Sequence, residues 1–162
     1  MQNINIRKAA ESDIELLIKL RFDYLTDNYG EPFASDVENA LIEQLREYYP
    51  KHLKTDDFIA ALGDIDGKVA GTAFMVITEK PANPQSFSTG KTALILNVLT
   101  YPEYRRQGLA TKLMEFLINE AKKANVSYIE LTATSMGKPV YEKVGFTERS
   151  HGNFTEMKLN LI

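Results

Sequence analysis

The fold is decided by the stretch Leu94-Ile95-Leu96-Asn97-Val98-Leu99-Thr100-Tyr101-Pro102-Glu103-Tyr104-Arg105-Arg106-Gln107-Gly108-Leu109-Ala110. Its apolar run predicts a buried strand, Pro102 predicts a turn, and a basic segment with a glycine then leads into an amphipathic helix. Gly108 and Ala110 are small enough to let a ligand approach the backbone, and the first N–H groups of a helix point outward with a partial positive charge. We therefore expect this segment to bind phosphate.

Two common phosphate-binding loops do not fit this segment. It has neither the Gly-Lys-Ser/Thr ending of a P-loop nor the Gly-x-Gly-x-x-Gly of a dinucleotide site. Arg105-x-x-Gly108-x-Ala110 resembles instead the Arg/Gln-x-x-Gly-x-Gly/Ala signature of the GCN5-related N-acetyltransferase (GNAT) superfamily, which grips the pyrophosphate of acetyl-coenzyme A (acetyl-CoA) there. Downstream, Ala133-Thr134-Ser135-Met136-Gly137-Lys138-Pro139-Val140-Tyr141-Glu142-Lys143-Val144-Gly145-Phe146 is similar to the second signature of that family, a short helix that carries a tyrosine and ends at Gly-Phe.

Size and composition predict one domain, residues 1–162, with its own core, because 44% of the 162 residues are hydrophobic and 25% are charged. No apolar stretch approaches the roughly 20 residues that span a bilayer, and we expect a cytoplasmic protein that does not bind membranes. Without cysteine, and with His52 and His151 in no ligand pattern, no metal is expected. The net charge of -3 argues against nucleic-acid binding, apart from a local basic rim at Arg105 and Arg106.

The first third of the chain is predicted to form a strand and two helices. Residues 4–8 alternate as a short strand. Ser12-Asp13-Ile14-Glu15 has the form of a capping box that begins a helix ending near Tyr29-Gly30. A second capping box, Ser35-Asp36-Val37-Glu38, precedes a helix that is expected to stop near Pro50.

The rest of the chain is predicted to contain strands, one long helix and one short helix. Residues 58–62 and 69–77 form a hairpin around an Asp-Gly turn. Further strands are predicted at 92–100, 128–133, 146–149 and 154–159, with helices from Leu109 to Ala124 and at 140–144, the latter ended by Gly145. The result is an α/β fold in the order β-α-α-β-β-β-α-β-α-β-β. This is also the GNAT order, a mixed sheet of about seven strands flanked by four helices, and the resemblance is most specific over residues 93–146.

The resemblance implies where acetyl-CoA binds. In the family, a bulge splays the strand before the phosphate loop, so that backbone groups at its end pair with the pantetheine arm and one N–H points at the thioester oxygen. The corresponding N–H here is that of Leu99, which is thereby expected to take part in catalysis. The residues expected to contact acetyl-CoA are Val98, Leu99, Thr100, Arg105, Arg106, Gln107, Gly108, Leu109, Ala110, Thr111 and Thr134.

Tyr141 is the expected proton donor to the departing coenzyme A, because its ordinary pKa of about 10 lies close to that of an alkyl thiol. Its alternative role is aromatic packing on a short helix. The family often places a glutamate base on the strand before the phosphate loop, where this chain has Asn97. The proton of the amine would then leave through water or through a carboxylate such as Asp23 or Glu31. Both carboxylates are more typical of solvated helix ends, so no base is assigned. Thr134 replaces the usual asparagine of the second motif.

These patterns together predict an acetyl-CoA-dependent N-acetyltransferase that moves an acetyl group directly to a primary amine of a small molecule or peptide. Two alternatives stay open, an acetyl-CoA-binding sensor or interaction module with little or no turnover and a regulator that binds a nucleotide in the same loop. The acceptor is expected to contact residues 20–49. A homodimer that uses residues 154–162 is compatible with the sequence but not required by it.

Overall fold

A computed structural model describes residues 2–150 and 152–162, so that His151 lies outside the described residues. At its centre is a five-stranded sheet in the order β1-β2-β3-β4-β5. The pairs β1–β2, β2–β3 and β3–β4 are antiparallel, whereas β5 is parallel to β4. The strands are β1 (Ile4–Lys8), β2 (Phe58–Ile65), β3 (Lys68–Glu79), β4 (Lys91–Thr100) and β5 (Ile129–Glu130).

Four helices cover the two faces of the sheet. They are α1 (Ile14–Tyr29), α2 (Ser35–Thr55), α3 (Leu109–Lys123) and α4 (Lys138–Lys143). One apolar cluster packs α1 and α2 against one face and includes Leu17 and Phe74. A second cluster packs α3 and α4 against the other face and includes Leu113 and Ile95. The predicted α/β class, with a mixed sheet and four flanking helices, is confirmed. In the described part of the chain, no helix combines the length and the apolar character needed to cross a membrane.

The turn between β2 and β3 is the predicted two-residue hairpin. Asp66 and Gly67 both have positive φ, 50° and 79°. This backbone matches the twist of two antiparallel strands, and it is the reason that Asp-Gly is a strong hairpin signal. Ile65 and Lys68 pair directly across the turn.

One extra residue in β4 forms a bulge opposite β3. Thr72 pairs with Leu99 and Phe74 pairs with Leu96, so two steps along β3 face three steps along β4. The backbone of Asn97, inside this interval, has a φ of 55°. A bulge of this kind bends a strand and re-aims its later residues. The splayed strand implied by the family resemblance is therefore present.

The two strands predicted at 146–149 and 154–159 do not form among the described residues, and the predicted count of about seven strands is wrong. Phe154, Met157 and Leu159 are 85%, 92% and 81% exposed. A strand is stable only against a partner, and β5 offers an edge of only two residues. The alternating pattern of the carboxyl-terminal segment therefore had no edge to join.

Both predicted capping boxes differ from the observed helix starts. α1 begins at Ile14 after a short 3-10 turn, and the Asp13 side chain makes no capping bond to it. Asp13 instead accepts a hydrogen bond from the Ala10 N–H (2.8 Å) and pairs with Arg7 (2.8 Å). Ser35 is the first residue of α2 rather than its cap. The helix starts were predicted to within about two residues, but not the interactions that fix them.

The helix α2 continues through Pro50, so the predicted stop there is wrong. Proline removes one helical hydrogen bond. Side-chain contacts on both sides of it offset that loss: Tyr49 is 2% exposed within the core, and the Nδ1 atom of His52 lies 2.8 Å from Asp57. Packing of the helix therefore overrides the local preference of proline.

The close approach of β3 and β4 at Gly71 gives a first prediction. A Cβ at this position would lie 2.4 Å from the Leu99 carbonyl oxygen, a backbone atom that cannot rotate away. We expect Gly71→Ala to lower the free energy of unfolding by about 2 kcal/mol, as overpacked sites do. Chemical denaturation measures this, with Leu94→Ala as the control at a β4 residue that is 47% exposed. Equal losses in the two variants would contradict the tight β3–β4 contact.

Candidate active site

Strand β4 separates from β5 near its middle. The two strands pair only at Ala93 with Ile129 and at Leu94 with Glu130. β4 continues beyond Leu94 to Thr100, whereas the strand predicted at 128–133 is only two residues long. The result is an opening beside the second half of β4, which we call the cleft.

The backbone groups of Val98 and Thr100 face the cleft. The Tyr101 N–H donates to the Ala70 carbonyl of β3 (3.0 Å). Backbone groups alternate between the two edges of a strand, so those of Leu99, like those of Tyr101, are directed at β3. The Leu99 N–H, expected to point at the thioester oxygen, is thus turned away from the cleft. Val98 and Thr100, on either side of Leu99, present the backbone groups that are free to bind a ligand.

The loop and first helical turn at residues 105–111, which we call the cradle, present a run of free backbone N–H groups. Arg106 and Gly108 have positive φ values of 60° and 83°. The next N–H, that of Lys112, donates to the Gly108 carbonyl (3.2 Å). Across residues 2–150 and 152–162, no protein acceptor takes a hydrogen bond from the N–H groups of Arg106 to Thr111. Six consecutive donors are therefore available at the start of α3.

Two side-chain oxygens beside the cradle also lack a partner. Thr100 Oγ1 and Gln107 Oε1 are buried and make no hydrogen bond within the described residues. The Gln107 amide nitrogen donates to the Glu103 carbonyl (3.3 Å), which holds the side chain in place. Because buried polar atoms are nearly always paired, these two oxygens fit a site for a polar ligand better than a plain surface turn. An extended ligand that runs along β4 and ends in phosphate groups matches the free N–H groups and the Thr100 hydroxyl, whereas the Gln107 oxygen accepts and so matches an N–H or O–H group of such a ligand.

The side chain of Arg105 connects the cradle to β4 and to α1. Its Nε donates to the Thr100 carbonyl (3.1 Å), and its Nη2 lies 3.9 Å from Asp27 of α1. Its own N–H donates to the Pro102 carbonyl (3.3 Å), so it does not belong to the free run. Arg106, by contrast, is exposed and makes no ion pair with the described residues. Of the predicted basic rim, only Arg106 is free to meet an anion.

The remaining residues predicted to contact the ligand offer it backbone groups or small side chains. Leu109 is 1% exposed in the core under α3, so only its N–H faces outward. Ala110 and Thr111 follow it in the first turn of the helix. The cradle is therefore a backbone site, and the side chains of this turn mainly anchor it.

Tyr141 lies on α4, near α1. It is 9% exposed, and its ring centroid is 6.2 Å from that of Phe146. Burial raises the pKa of the Tyr141 phenol, and the nearby phenol of Tyr24 on α1 raises it further. The hydroxyl makes no hydrogen bond to a described residue, so its proton is free to be donated. Both the predicted packing role and the predicted donor role are compatible with this placement.

Thr134 uses its polar atoms to begin α4. Its Oγ1 accepts a hydrogen bond from the Gly137 N–H (3.1 Å), and its carbonyl accepts one from the Lys138 N–H (2.9 Å). A Cβ at Gly137 would lie 3.3 Å from the Tyr141 hydroxyl oxygen. The second motif therefore positions the tyrosine, and a contact between Thr134 and acetyl-CoA stays a prediction.

Neither carboxylate considered as a base stands free beside the cleft. Asp23 accepts hydrogen bonds from the Tyr101 hydroxyl (2.5 Å) and from Lys19 (2.5 Å). Glu31 is exposed in the loop between α1 and α2. Among the described residues, no three His, Cys, Asp or Glu side chains form a group that could hold a metal ion.

Sequence reasoning missed one residue at the cleft, Arg21 of α1. Its Nη1 donates to the Asn97 side-chain oxygen (3.2 Å), and the Asn97 amide nitrogen donates to the Leu20 carbonyl (3.5 Å). Nothing in the local pattern of α1 marks Arg21, because only the bulge in β4 brings Asn97 to it.

A sheet that opens along one strand and leads into a helix start with six free donors defines a protein that binds an extended, phosphate-bearing ligand. The chain belongs to the acetyltransferase (GNAT) family, whose profile matches residues 19–146. A predicted acetyltransferase from Clostridium acetobutylicum, solved with acetyl-CoA, is 30% identical, with 98% of this chain and 97% of that chain covered and a TM-score of 0.82. The predicted family and enzyme class, an acetyltransferase that uses acetyl-CoA, are confirmed.

More distant relatives share parts of this picture. A GCN5-related N-acetyltransferase from Ralstonia eutropha JMP134 has the same fold, with a TM-score of 0.79 at 21% identity over 98% of this chain and 99% of that one. The [ribosomal protein bS18]-alanine N-acetyltransferase of Escherichia coli (strain K12) is 37% identical over 59 residues. That match spans 35% of this chain and 40% of the length of the relative.

Two glycines with the same backbone test the cradle. Gly108 and Gly30 have φ values of 83° and 76°, and a Cβ at either position would meet nothing within 4 Å. Alanine at each should therefore cost about 1 kcal/mol of stability from left-handed strain alone. We expect only Gly108→Ala to weaken acetyl-CoA binding as well, by about tenfold or more, since its methyl group enters the space where phosphate meets the N–H groups. Calorimetric titration of both variants measures this, and equal dissociation constants would contradict the assignment.

Proposed function

We propose that this chain transfers an acetyl group from acetyl-CoA directly to a primary amine held in the same complex. The observation that carries the proposal is the run of six free N–H groups from Arg106 to Thr111, at the end of the open edge of β4. Backbone donors at a helix start favour phosphate. Because these N–H groups follow the end of β4, a phosphate-bearing ligand that they bind is aligned with the cleft.

The binding residues follow from this alignment. The cradle N–H groups hold the pyrophosphate, and Arg106 adds positive potential. The cleft-facing backbone groups of Val98 and Thr100 pair with the pantetheine arm, and the unpartnered Thr100 Oγ1 is positioned to join them. Because the Leu99 N–H is directed at β3, we assign to the Val98 N–H the contact with the thioester oxygen, where negative charge develops during transfer.

The transfer itself needs one proton donor and one proton exit. The amine nitrogen forms a bond to the acetyl carbon, the carbon–sulfur bond breaks, and its electron pair leaves on sulfur. Tyr141 donates its phenolic proton to that sulfur and regains a proton from solvent. The surplus proton of the amine passes to water, since Asp23 already accepts hydrogen bonds from Tyr101 and Lys19 and Glu31 is solvated.

The acceptor approaches from α1, α2 and the loop between them. This region carries the aromatic side chains Phe22, Tyr29 and Phe33. The ring centroid of Phe33 lies 6.3 Å from that of Phe22 and 6.0 Å from that of Tyr29. The partial relative in Escherichia coli is named for a protein amine, which supports peptide acceptors as well as small molecules. A single-domain organisation, a cytoplasmic location and a homodimer through residues 154–162 stay predictions.

Substitution of Tyr141 tests the proposed proton donor. General acid catalysis is worth about 10²–10⁴-fold, so Tyr141→Phe should lower kcat by at least about 100-fold while the KM for acetyl-CoA changes little. Burial raises the Tyr141 pKa, so the donor form persists at every pH below about 10. The rate of the unaltered protein should therefore show no alkaline loss due to this group below that pH. Thiol release with a panel of amines measures both effects.

The matched control for this substitution is Tyr48→Phe, which removes the hydroxyl of a half-buried tyrosine on α2 that stacks on His52 at 4.1 Å between ring centroids. It should keep the kcat of the unaltered protein. An unchanged kcat in Tyr141→Phe would remove the donor role. If the unaltered protein binds acetyl-CoA but releases no thiol with any amine, the chain is a sensor rather than an enzyme.

A further inference from the structure

Arg21 is a half-buried cation without a carboxylate partner. Its guanidinium donates one hydrogen bond, from Nη1 to the Asn97 side-chain oxygen (3.2 Å). In the part of the chain that the structure describes, no Asp or Glu oxygen lies within 4.0 Å of it. A guanidinium has five N–H donors, so most of its donor capacity is unused. Such a group is costly to bury unless an anion joins it.

The neighbouring charges of α1 are already matched, which singles out Arg21. Lys19 lies 2.5 Å from Asp23, and Arg105 lies 3.9 Å from Asp27. Asp23 and Asp27 of α1 are therefore paired with cations other than Arg21. The positive charge of Arg21 remains for a molecule from outside the chain.

A second unpartnered donor lies on α2, which packs beside α1 on the same face of the sheet. Tyr49 of α2 is 2% exposed, and its hydroxyl makes no hydrogen bond to any residue in the described ranges. Burial raises the pKa of this phenol, and the positive charge of Arg21 opposes the rise. A hydroxyl without an acceptor and a guanidinium with unused donors, on two helices that pack side by side, fit an oxygen-bearing anion.

This pair of donors lies close to the proposed reaction centre. Arg21 is hydrogen bonded to Asn97, and Asn97 immediately precedes Val98, whose N–H faces the cleft. Adjacent Cα atoms are about 3.8 Å apart, so only a short molecule connects the two points. An amine in line with the thioester would have its anionic group only a few bonds away.

We propose that the acceptor is a small amine that also carries a carboxylate or phosphate group, and that Arg21 and Tyr49 bind this group as specificity-determining residues. This inference rests on the proposed acetyl transfer and names its substrate class. The planar fork of the guanidinium takes two oxygens of a carboxylate or a phosphate at once. The anion satisfies the Tyr49 hydroxyl and the free Arg21 donors together, and the bound amine is thereby aimed into the cleft.

The test compares matched amines on the unaltered protein and on Arg21→Gln. Acetyl transfer is followed by thiol release and product mass for L-α-amino acids against their carboxamides, for phosphoethanolamine against ethanolamine, and for short peptides blocked at the carboxyl end. We expect an anionic amine to be preferred in kcat/KM by about tenfold or more, as charge-assisted hydrogen bonds allow. Arg21→Gln should abolish that preference by raising the KM of the anionic member alone. The carboxylate and phosphate arms show which anion is used.

Control variants separate recognition from folding. Arg46→Gln removes an exposed arginine of α2 that pairs with Glu15, and it should keep the preference. Tyr49→Phe should reduce the preference less than Arg21→Gln does, because it removes one neutral donor. The comparison of acid with carboxamide on the unaltered protein needs no variant, so it tests the substrate class even if Arg21→Gln fails to fold, and Tyr49→Phe then tests the proposed site.

Each result has one meaning. Equal kcat/KM for charged and neutral amines, or a preference for blocked peptides, overturns the role of Arg21 and leaves acetyl transfer intact. Thiol release from no amine, with acetyl-CoA still bound, overturns the proposed function and this inference together. A preference for the anionic amine that is lost only in Arg21→Gln and weakened in Tyr49→Phe supports it.

Discussion

The site depends on one extra residue in β4, which separates that strand from β5. The residue at the bulge, Asn97, is held in a left-handed backbone conformation with a φ of 55°. Asparagine tolerates this conformation better than most side chains, and its amide group is fixed from both sides by Leu20 and Arg21 of α1. The same contacts that stabilise the bulge therefore connect α1 to the second half of β4.

The separation leaves polar groups that the protein alone does not satisfy. The N–H groups from Arg106 to Thr111 and the oxygens of Thr100 and Gln107 have no protein partner among the described residues. The two oxygens are also buried, and an unsatisfied polar group that is shielded from water costs free energy. A ligand that meets them recovers that cost on binding, and it stabilises the folded state in proportion to its concentration and affinity. The unpaired polar groups at the cleft therefore lower the stability of the free protein, and the binding of acetyl-CoA raises it.

Features with a local cause were predictable from the sequence. The Asp66-Gly67 turn, the amphipathic helix α3 and the small residues of the cradle each follow from a few neighbouring side chains. Features that depend on a distant partner were not. Proline at 50 marks a helix end by itself, but packing around Tyr49 carries α2 past it. The alternation at 154–159 is typical of a strand, yet the two-residue β5 gives it no edge.

The same distinction applies within the site. The acetyl-CoA contacts predicted from the sequence stay predictions. Among them, the sequence directed the Leu99 N–H at the thioester, because the direction of a backbone group depends on register with β3, which a local pattern does not show. Only the pairing of Tyr101 with Ala70 fixes that direction. Arg21 could not be predicted as a site residue for a related reason. Its place at the site depends on the hydrogen bond to Asn97, which lies far from it in the chain.

Amide hydrogen exchange followed by NMR tests the central claim most directly. The free N–H groups of residues 106–111, and those of Val98 and Thr100, should exchange rapidly in the protein alone and slowly once acetyl-CoA is added. The first-turn N–H groups of α2, at residues 35–37, should keep their rates and serve as the internal reference. Saturating acetyl-CoA that leaves exchange at residues 106–111 unchanged, or that slows a different set of amides, would contradict the account.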